Sequence, residues 1–297
     1  DGHSVFEEDI GLDNVPDVEL RSEGIAAFID PAFGGSIMEL DCLDKKVNIL
    51  NVLTRWKEGY HSRIIEAQSG DDGDTKSIHD KVILKEEGLA EGLTFDELRR
   101  SSLRDRIINK ETTLEDIMCG SLDDPGGFYA GAYDHKVTGH GVVLSRKSKA
   151  YGDEILVRKE LTLDGASSLK VAYDVGSAGG AALSSGVIFS VEFNVCLPGC
   201  AGPATYCEVS TETKKSGLLT KAVTEDVESV RIGDTYSGIE LTFELSSKCR
   251  LMRYPIETVS LSEAGFEKNY QGTCFVFCFE AGKDDMIRPE INITLTG

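Results

Sequence analysis

The chain has 297 residues, of which 40% are hydrophobic and 28% charged, and its formal net charge is −20. This length and hydrophobic content suffice for one large domain or two small ones. So acidic a surface repels phosphate backbones, which argues against nucleic acid as a partner. The sequence has no run of about 18 apolar residues and no basic amphipathic run, so no membrane partner is predicted.

The first part of the chain reads as an arm followed by strands. Residues 1–17 are acidic and irregular in pattern, and we predict an N-terminal arm or linker there. From Val18 to Asn51, apolar-rich runs predict three or four strands. Between two of these runs, Gly34 and Gly35 allow the backbone angles of a tight corner, and Pro31 fixes φ just before it.

A cluster of polar and aromatic side chains follows these strands, and it contains the only tryptophan of the sequence. Flat rings beside charged hydrogen-bonding groups are typical of a surface that binds a sugar or another protein. One helical turn between Asn51 and Glu66 fits the spacing only loosely. The cluster consists of Arg55, Trp56, Glu58, Tyr60 and His61.

The polar segment from Ala67 to Lys76 is predicted to be a solvated loop. Asp71, Asp72 and Asp74 superficially match a calcium-binding loop, but the later glutamate and the 12-residue pattern are missing. Beyond it, Ile78, Val82 and Leu84 indicate a strand.

Two later segments have less regular patterns. Residues 95–108 carry apolar side chains whose spacing fits either a short helix or an irregular sheet edge. Leu114 to Pro125 is a charged connection with room for a short helix.

A two-residue period dominates from Phe128 onward. Val187 to Leu197 alternates without a break, with Glu192 and Asn194 on its polar face. No helix-length amphipathic run separates the alternating segments, which disfavours a parallel βαβ arrangement. The sequence therefore predicts an all-β fold: one large antiparallel β-sandwich with few short helices, formed by residues 18–297 as a single domain.

Eight cysteines are scattered through a chain that is large enough not to need disulfide bonds. Several of them lie in apolar strands, so we predict reduced, buried thiols in a cytoplasmic protein. Cys196, Cys200 and Cys207 lack C-x-x-C spacing and a nearby histidine, and no metal site is predicted. No motif for a cofactor is present either, and none is predicted.

Six short segments form an ordered series: Pro31 with Gly34–Ile37, Asn51–Arg55, Glu58–His61, Ser77–Asp80, Asp96–Asp105 and Val191–Asn194. In this order they resemble the C-terminal domain of glycoside hydrolase family 57, which holds α-amylases and 4-α-glucanotransferases. The resemblance extends roughly from Val18 to the end of the chain. It implies the galactose-mutarotase-like supersandwich, a finer statement than periodicity supports.

The resemblance also implies where catalysis takes place. In the family, the nucleophilic glutamate and the acid/base aspartate belong to an N-terminal barrel, and these two carboxylates flank the scissile bond. This chain has no alternating strand–helix region to hold them, and it begins with Asp1 rather than Met. We therefore expect a piece of a longer enzyme, with no catalytic residue of its own and with the catalytic barrel as its partner.

Nine residues are candidates for carbohydrate binding or for docking the barrel. The polar and aromatic cluster from Arg55 to His61 supplies five of them, and it matches the family pattern Arg-x-x-Glu-x-Tyr-His together with the adjacent tryptophan. Arg100 and Asp105 lie in a second family-like segment, where Arg106 replaces a histidine and puts proton transfer in doubt; buried ion pairs that fix a loop are the simpler interpretation. The nine are Arg55, Trp56, Glu58, Tyr60, His61, Arg100, Asp105, Glu192 and Asn194.

Two interpretations are open for Glu192 and Asn194. If the polar face of their strand lines a groove, the carboxylate and the amide can hydrogen-bond sugar hydroxyls. Otherwise they anchor neighbouring loops inside the sandwich.

Three functions are compatible with these patterns. The leading hypothesis is a non-catalytic C-terminal β-sandwich domain that braces the catalytic barrel and contacts α-1,4-glucan. The first alternative is a stand-alone mutarotase-like enzyme that acts on a sugar's anomeric carbon with Glu192 as base. The second is a structural docking module without sugar binding.

Overall fold

The computed structural model describes residues 2–62, 64, 93–120, 122–179, 183, 186–262, 265–281 and 286–297. Within these residues the chain forms two antiparallel sheets, one of five strands and one of eleven. The predicted Ala67–Lys76 loop, the strand at Ile78–Leu84 and the Ser77–Asp80 motif lie outside the described residues. No helix in the described residues is long and apolar enough to cross a membrane.

The smaller sheet contains the first five strands in chain order, each paired with the next. Four of them lie in the region where three or four strands were predicted. The fifth, β1, corrects the prediction of an irregular arm, because Val5 and Phe6 align with Leu20 and Glu19 of β2 and extend the sheet by one strand. The strands are β1 Ser4–Glu8, β2 Asp17–Arg21, β3 Ile25–Asp30, β4 Ser36–Cys42 and β5 Val47–Asn48.

The predicted corner between β3 and β4 is present. Gly34 and Gly35 have φ values of 76° and 52°, a region that favours glycine. A Cβ atom on Gly34 would lie 2.4 Å from the carbonyl oxygen of Tyr129, so a larger residue would displace that backbone. The corner thereby lets the loop around Tyr129 approach the smaller sheet closely.

The larger sheet has the order β6-β11-β15-β14-β16-β10-β9-β8-β7, while β13 also pairs with β14 and carries β12. All of its pairings are antiparallel. Its strands are β6 Arg104–Asn109, β7 Asp134–Thr138, β8 Gly141–Ala150, β9 Asp153–Leu163, β10 Ser168–Ser177, β11 Val187–Val195, β12 Thr205–Val209, β13 Ala222–Asp234, β14 Ile239–Ser262, β15 Gly265–Phe279 and β16 Glu290–Thr296.

One hydrophobic core is shared by the two sheets, as expected for a sandwich. Its centre contains three phenylalanine rings from β11, β14 and β15, with centroids 4.8 to 6.0 Å apart. Such offset or edge-to-face contacts add to the stabilisation that burial of the rings provides. The three rings belong to Phe193, Phe243 and Phe277.

The outer face of the larger sheet is covered as well, which the alternation in β11 did not predict. Glu192 and Asn194 on its polar face are 4% and 1% exposed. A second apolar cluster joins Met252 and Val276 of this face to the short helix α1, Leu114–Met118. The polar face is therefore interior to the molecule and does not line an open groove.

The loops that cover this face differ in part from their predicted structure. Residues 95–103 are irregular and lead into β6, so the interpretation of 95–108 as a helix is wrong for the whole segment; β6 pairs with β11 and supplies the edge of the sheet. The short helix for which the sequence left room within Leu114–Pro125 is present as α1. Thr113 caps it, because its hydroxyl accepts the N–H of Asp116.

None of the eight cysteines forms a disulfide bond. Five are buried, as predicted for thiols within strands, and Cys196 is partly buried. Cys119 and Cys200 are exposed, which differs from the prediction because both lie in turns rather than in strands.

Candidate functional site

Two loops meet on the outer face of the larger sheet through a carboxylate held by two arginines. Nη2 of Arg55 donates to Oδ1 of Asp96 at 2.6 Å, and the Arg55 backbone N–H donates to Oδ2 at 2.9 Å. From the other side, Arg100 donates to the same two oxygens at 2.7 and 2.8 Å. All three side chains are buried. We call Arg55, Asp96 and Arg100 the Asp96 clamp.

The clamp holds its carboxylate ionised. Burial raises the pKa of Asp96, but the hydrogen bonds and charges of Arg55 and Arg100 outweigh burial and lower this pKa from 3.8 to about 2. For Arg100, burial lowers the pKa, but Tyr254, Asp96 and Glu192 outweigh it and raise the pKa well above its usual value. An aspartate this acidic is a poor proton donor or acceptor near neutral pH.

Glu192 and Asn194 extend the clamp into the sheet. Nη1 of Arg100 donates to Oδ1 of Asn194 at 2.9 Å and lies 3.7 Å from Oε1 of Glu192. That Oε1 also accepts the Asn194 side-chain amide at 2.8 Å and the Tyr129 hydroxyl at 3.0 Å. Asn194 further donates to the carbonyl of Ser101 at 2.7 Å. These contacts correspond to the loop-anchoring interpretation.

The space beside Glu192 is too small for a sugar. Glu192, Arg106 and Tyr254 line a cavity of 30 Å³, which holds about one or two water molecules. No histidine is among its described lining residues. The acid–base pair of a mutarotase-like enzyme is therefore not assembled by the described residues around Glu192.

Arg106, the position that departs from the family pattern, holds a loop in place. Its guanidinium carbon lies 3.7 Å from the ring centroid of Tyr129, and that of Arg104 lies 4.0 Å from the same centroid. Arg104 also stacks on Phe33 at 4.0 Å. This stack of rings and guanidinium groups fixes Tyr129 against the sheet.

Asp105 lies apart from the other candidates. It is fully buried, and its Oδ2 is 2.8 Å from Nζ of Lys159. The hydroxyls of Tyr133 and Tyr173 donate to its two oxygens at 2.9 and 2.8 Å. Burial raises the pKa of Asp105 and lowers the pKa of Lys159, while their ion pair opposes both changes. Asp105 and Lys159 thus form a buried ion pair whose polar atoms all have partners inside the protein, so Asp105 is not available to a ligand.

All five clustered residues line one cleft at the surface of the protein. We call it the Trp56 cleft; it has a volume of 150 Å³. Trp56 is 51% exposed and Leu53 is 56% exposed on its outer wall. Glu58 is exposed beside them. The cleft is lined by Leu53, Thr54, Arg55, Trp56, Glu58, Tyr60, His61, Leu93, Thr94, Phe95, Glu257, Thr258, Val259, Ser260, Asn269 and Gln271.

His61 and Tyr60 form the inner end of this cleft, where their polar atoms serve the fold. Pairing between β13 and β14 ends at Arg253, so the following part of β14 has no strand on that side within the described residues. Nε2 of His61 lies 2.9 Å from the Val259 carbonyl oxygen, and Nδ1 accepts the Glu58 N–H at 2.9 Å. Because Nδ1 accepts a hydrogen bond, these partners assign the donor role to Nε2, and both ring nitrogens of His61 are engaged.

The floor of the cleft was missed at the level of sequence. Two amide–hydroxyl pairs cross from β15 to β14: Gln271 donates to Thr258 at 2.8 Å, and Asn269 donates to Ser260. The only available signal was the polar character of a strand-like segment, which is typical of any solvent-facing sheet surface. Their position beside Trp56 depends on pairing between distant segments.

A larger cavity lies elsewhere on the larger sheet. Its volume is 470 Å³, and Glu225, Arg250 and Arg288 are among its lining residues. Glu225 accepts from Arg250 at 2.8 Å, and Arg288 donates to Asp174 at 3.2 Å. None of the nine predicted residues lines this cavity, and it has no lining residue in common with the Trp56 cleft.

With respect to relatives, residues 9–293 match the family described as alpha-amylase/4-alpha-glucanotransferase, C-terminal. Alpha-amylase 1 of Dictyoglomus thermophilum is 31% identical over 276 residues, which cover 92% of this chain and 39% of that enzyme. The 4-alpha-glucanotransferase of Thermococcus kodakarensis is 27% identical over 278 residues, which cover 92% of this chain and 38% of that enzyme. The chain thus spans about two fifths of the length of these relatives.

Solved structures agree in fold. The 4-alpha-glucanotransferase from Thermococcus litoralis superposes with a TM-score of 0.74 at 23% identity, over 98% of this chain and 39% of that one. A galactose mutarotase-like protein from Clostridium acetobutylicum gives a TM-score of 0.54 at 10% identity, over 99% of this chain and 98% of that one. The second likeness confirms the predicted galactose-mutarotase-like architecture.

The ordered motifs had predicted a resemblance to the C-terminal part of α-amylases and 4-α-glucanotransferases, and the family match over residues 9–293 confirms it. The chain belongs to the alpha-amylase/4-alpha-glucanotransferase C-terminal family.

Proposed function

We propose that this chain is the non-catalytic C-terminal domain of an enzyme of glycoside hydrolase family 57 that acts on α-1,4-glucans, and that it braces the catalytic barrel of that enzyme. The observation that carries the proposal is the family match over residues 9–293, combined with the coverage of only about two fifths of the relatives' length. The remainder of such an enzyme supplies the catalytic barrel as the partner of this domain.

The state of the buried carboxylates supports a non-catalytic role. Hydrolysis of a glycosidic bond needs two carboxyl groups on either side of the bond, with space for the sugar between them. Asp96 is held by two arginines, Asp105 by a lysine and two tyrosines, and Glu192 by Tyr129 and Asn194. Each of these carboxylates is therefore already engaged by neighbouring side chains of the fold.

The mutarotase-like alternative receives less support. Glu192 would have to abstract a proton from a sugar, yet it lies beside a cavity of 30 Å³ beneath the covering loops. Polarimetry of α-glucose and α-galactose with the wild-type chain and with Glu192→Gln tests it, and we expect equal rates. A faster wild-type rate would favour the alternative.

We propose in addition a surface that contacts sugar and a cellular compartment for the protein. The Trp56 cleft is the surface that we assign to α-glucan, because it combines an exposed ring with hydrogen-bonding side chains. We also propose a cytoplasmic location, because five cysteines are buried as thiols within the strands.

Two measurements test the role of the domain. The chain alone should neither hydrolyse nor transfer maltoheptaose units above the rate of the buffer blank. The complete reading frame should encode an alternating strand–helix region ahead of this domain, and removal of the domain from that product should lower its thermal unfolding temperature. Turnover by the chain alone at enzymatic rates would overturn the proposal, as would a complete reading frame without that region.

A further inference from the structure

We infer that the Trp56 cleft is an auxiliary binding site for a short stretch of α-1,4-glucan, with Trp56 as the stacking wall and the Thr258–Gln271 and Ser260–Asn269 pairs as the hydrogen-bonding floor. This inference rests on the proposed function and adds the atoms that recognise the sugar. Four of these residues lie on β14 and β15, far in sequence from the cluster around Trp56.

Trp56 offers an exposed ring on a rigid support. Large aromatic side chains are usually mostly buried, so a tryptophan that is 51% exposed is informative. The residue before it, Arg55, is fixed through both its backbone and its guanidinium by Asp96. The backbone N–H of Trp56 also donates to the Thr54 carbonyl at 2.9 Å. The backbone that carries the ring is therefore held in place before the C–H face of a sugar packs on the ring.

The floor supplies neutral donors and acceptors. In each amide–hydroxyl pair, one amide N–H is donated to one hydroxyl oxygen. These pairs do not engage the amide oxygens of Gln271 and Asn269 or the hydroxyl hydrogens of Thr258 and Ser260. Sugar hydroxyls both donate and accept, so this mixture complements them. The pairs also hold the four side chains in place before a ligand binds.

The charges around the cleft favour a neutral ligand. The guanidinium of Arg55 is turned towards Asp96 and the Met118 carbonyl, so its charge is neutralised inside the protein. Glu58 and Glu257 at the cleft are acidic, and the whole chain carries a net charge of −20. Phosphates and other anions are repelled by this field, whereas a neutral sugar is not.

The size of the cleft limits the ligand to a short stretch. Pockets for drug-sized ligands measure roughly 300–1,000 Å³, and this cleft measures 150 Å³. It therefore accommodates about one sugar unit, with the rest of the glucan in solvent. The competing occupant is a segment of the catalytic barrel, which would cover the same ring.

The single tryptophan gives a direct test, because its fluorescence reports only on this cleft. We expect a saturable change in the emission of the 297-residue chain during titration with maltoheptaose, and none with cellohexaose, in which the units are β-1,4-linked. Gln271→Ala should weaken binding roughly fivefold, through the loss of one hydrogen-bonding group. By calorimetry, Trp56→Ala should weaken binding about tenfold.

Tyr236→Ala serves as the matched control. Tyr236 is 90% exposed in the turn that precedes β14, at the other end of that strand from the cleft. This variant should bind maltoheptaose with unchanged affinity. An equal loss of affinity in Tyr236→Ala and Trp56→Ala would overturn the assignment.

Other outcomes also contradict the inference. Absence of both heat and emission change at millimolar maltoheptaose would overturn it, and so would an equal response to cellohexaose. An emission change produced only by the separately expressed catalytic barrel would assign the cleft to docking. The proposed non-catalytic role would survive all of these results, because it is decided by turnover and by the complete reading frame.

Discussion

Arg55 and Trp56 are neighbours in the sequence, yet their side chains belong to regions of opposite character. Arg55 is 6% exposed and fully engaged within the Asp96 clamp, whereas Trp56 is 51% exposed on the wall of the cleft. Of the charged residues that first suggested a binding site, Arg55 is engaged within the fold, whereas Glu58 stays exposed at the cleft. The neutral hydrogen-bonding groups of the cleft floor come from strands that meet only in the folded chain.

Because the charged side chains of the interior are buried and paired, we expect their substitution to change stability more than substitution of the exposed cleft residues. Asp105→Leu would leave Lys159 buried and unpaired, and we expect a loss of about 3–5 kcal/mol in the free energy of unfolding. The double variant Asp105→Leu/Lys159→Met removes both charges and should recover a large part of the loss. Urea unfolding of the wild type, both single variants and the double variant measures these values. Single variants within about 1 kcal/mol of wild type would contradict a structural role for the pair.

Disruption of the Asp96 clamp should lower the free energy of unfolding by less than disruption of the Asp105–Lys159 pair. Asp96→Asn removes the charge between Arg55 and Arg100 but retains an oxygen that accepts hydrogen bonds. A pKa lowered from 3.8 to about 2 corresponds to roughly 2 kcal/mol of stability at neutral pH, and we expect a loss of about 2 kcal/mol in urea unfolding.

The stability that the Asp96 clamp contributes depends on pH in a defined way. The folded-state pKa of Asp96 lies below its usual value, so the unfolded chain binds the proton more readily. The stabilisation is therefore complete above pH 3.8 and is lost as the pH falls through about 2. Asp96→Asn should remove this part of the acid dependence, and a curve parallel to wild type across this interval would argue against the clamp.

These two regions also separate what the sequence can predict from what it cannot. The alternation in Val187–Leu197 predicted a strand correctly because a half-buried strand has a period of two. It left the environment of Glu192 open, because burial of its polar face depends on Tyr129 and Ser101, which lie far away in the chain. The strand β1 was missed because its polar sequence is stabilised by pairing with β2.

The candidate residues were likewise found in part. The motif led to Trp56 and His61 because both lie in one short segment. Residue type did not reveal that His61 is bonded at both ring nitrogens, since a partner of His61 is the backbone of Val259, 198 residues away. Asn269 and Gln271 carried only the general signal of a solvent-facing strand. Sequence patterns thus located one wall of the cleft, and long-range strand pairing determined its floor.

His61 sharpens the comparison because it lies at the boundary of the two regions. His61→Phe preserves a ring but leaves the Val259 carbonyl and the Glu58 N–H without this partner, and we expect a loss of about 1–2 kcal/mol in urea unfolding. His61→Gln is the matched control, because its amide can donate to the Val259 carbonyl and recover part of the loss. Equal stability of wild type and His61→Phe would show that these two hydrogen bonds contribute little.

Trp56 should have the smallest effect on stability. Half of its surface already contacts solvent, so Trp56→Ala should change the free energy of unfolding by at most about 0.5 kcal/mol, comparable to the exposed control Tyr236→Ala. The measurement is urea unfolding under the conditions of the sugar titration. A loss above about 1 kcal/mol would mean that the ring packs as part of the fold, and weaker sugar binding in the variant would then have a structural cause. Unchanged stability together with lost affinity would assign the ring to the ligand, because a side chain that does little for the folded state has its contact surface available for a partner.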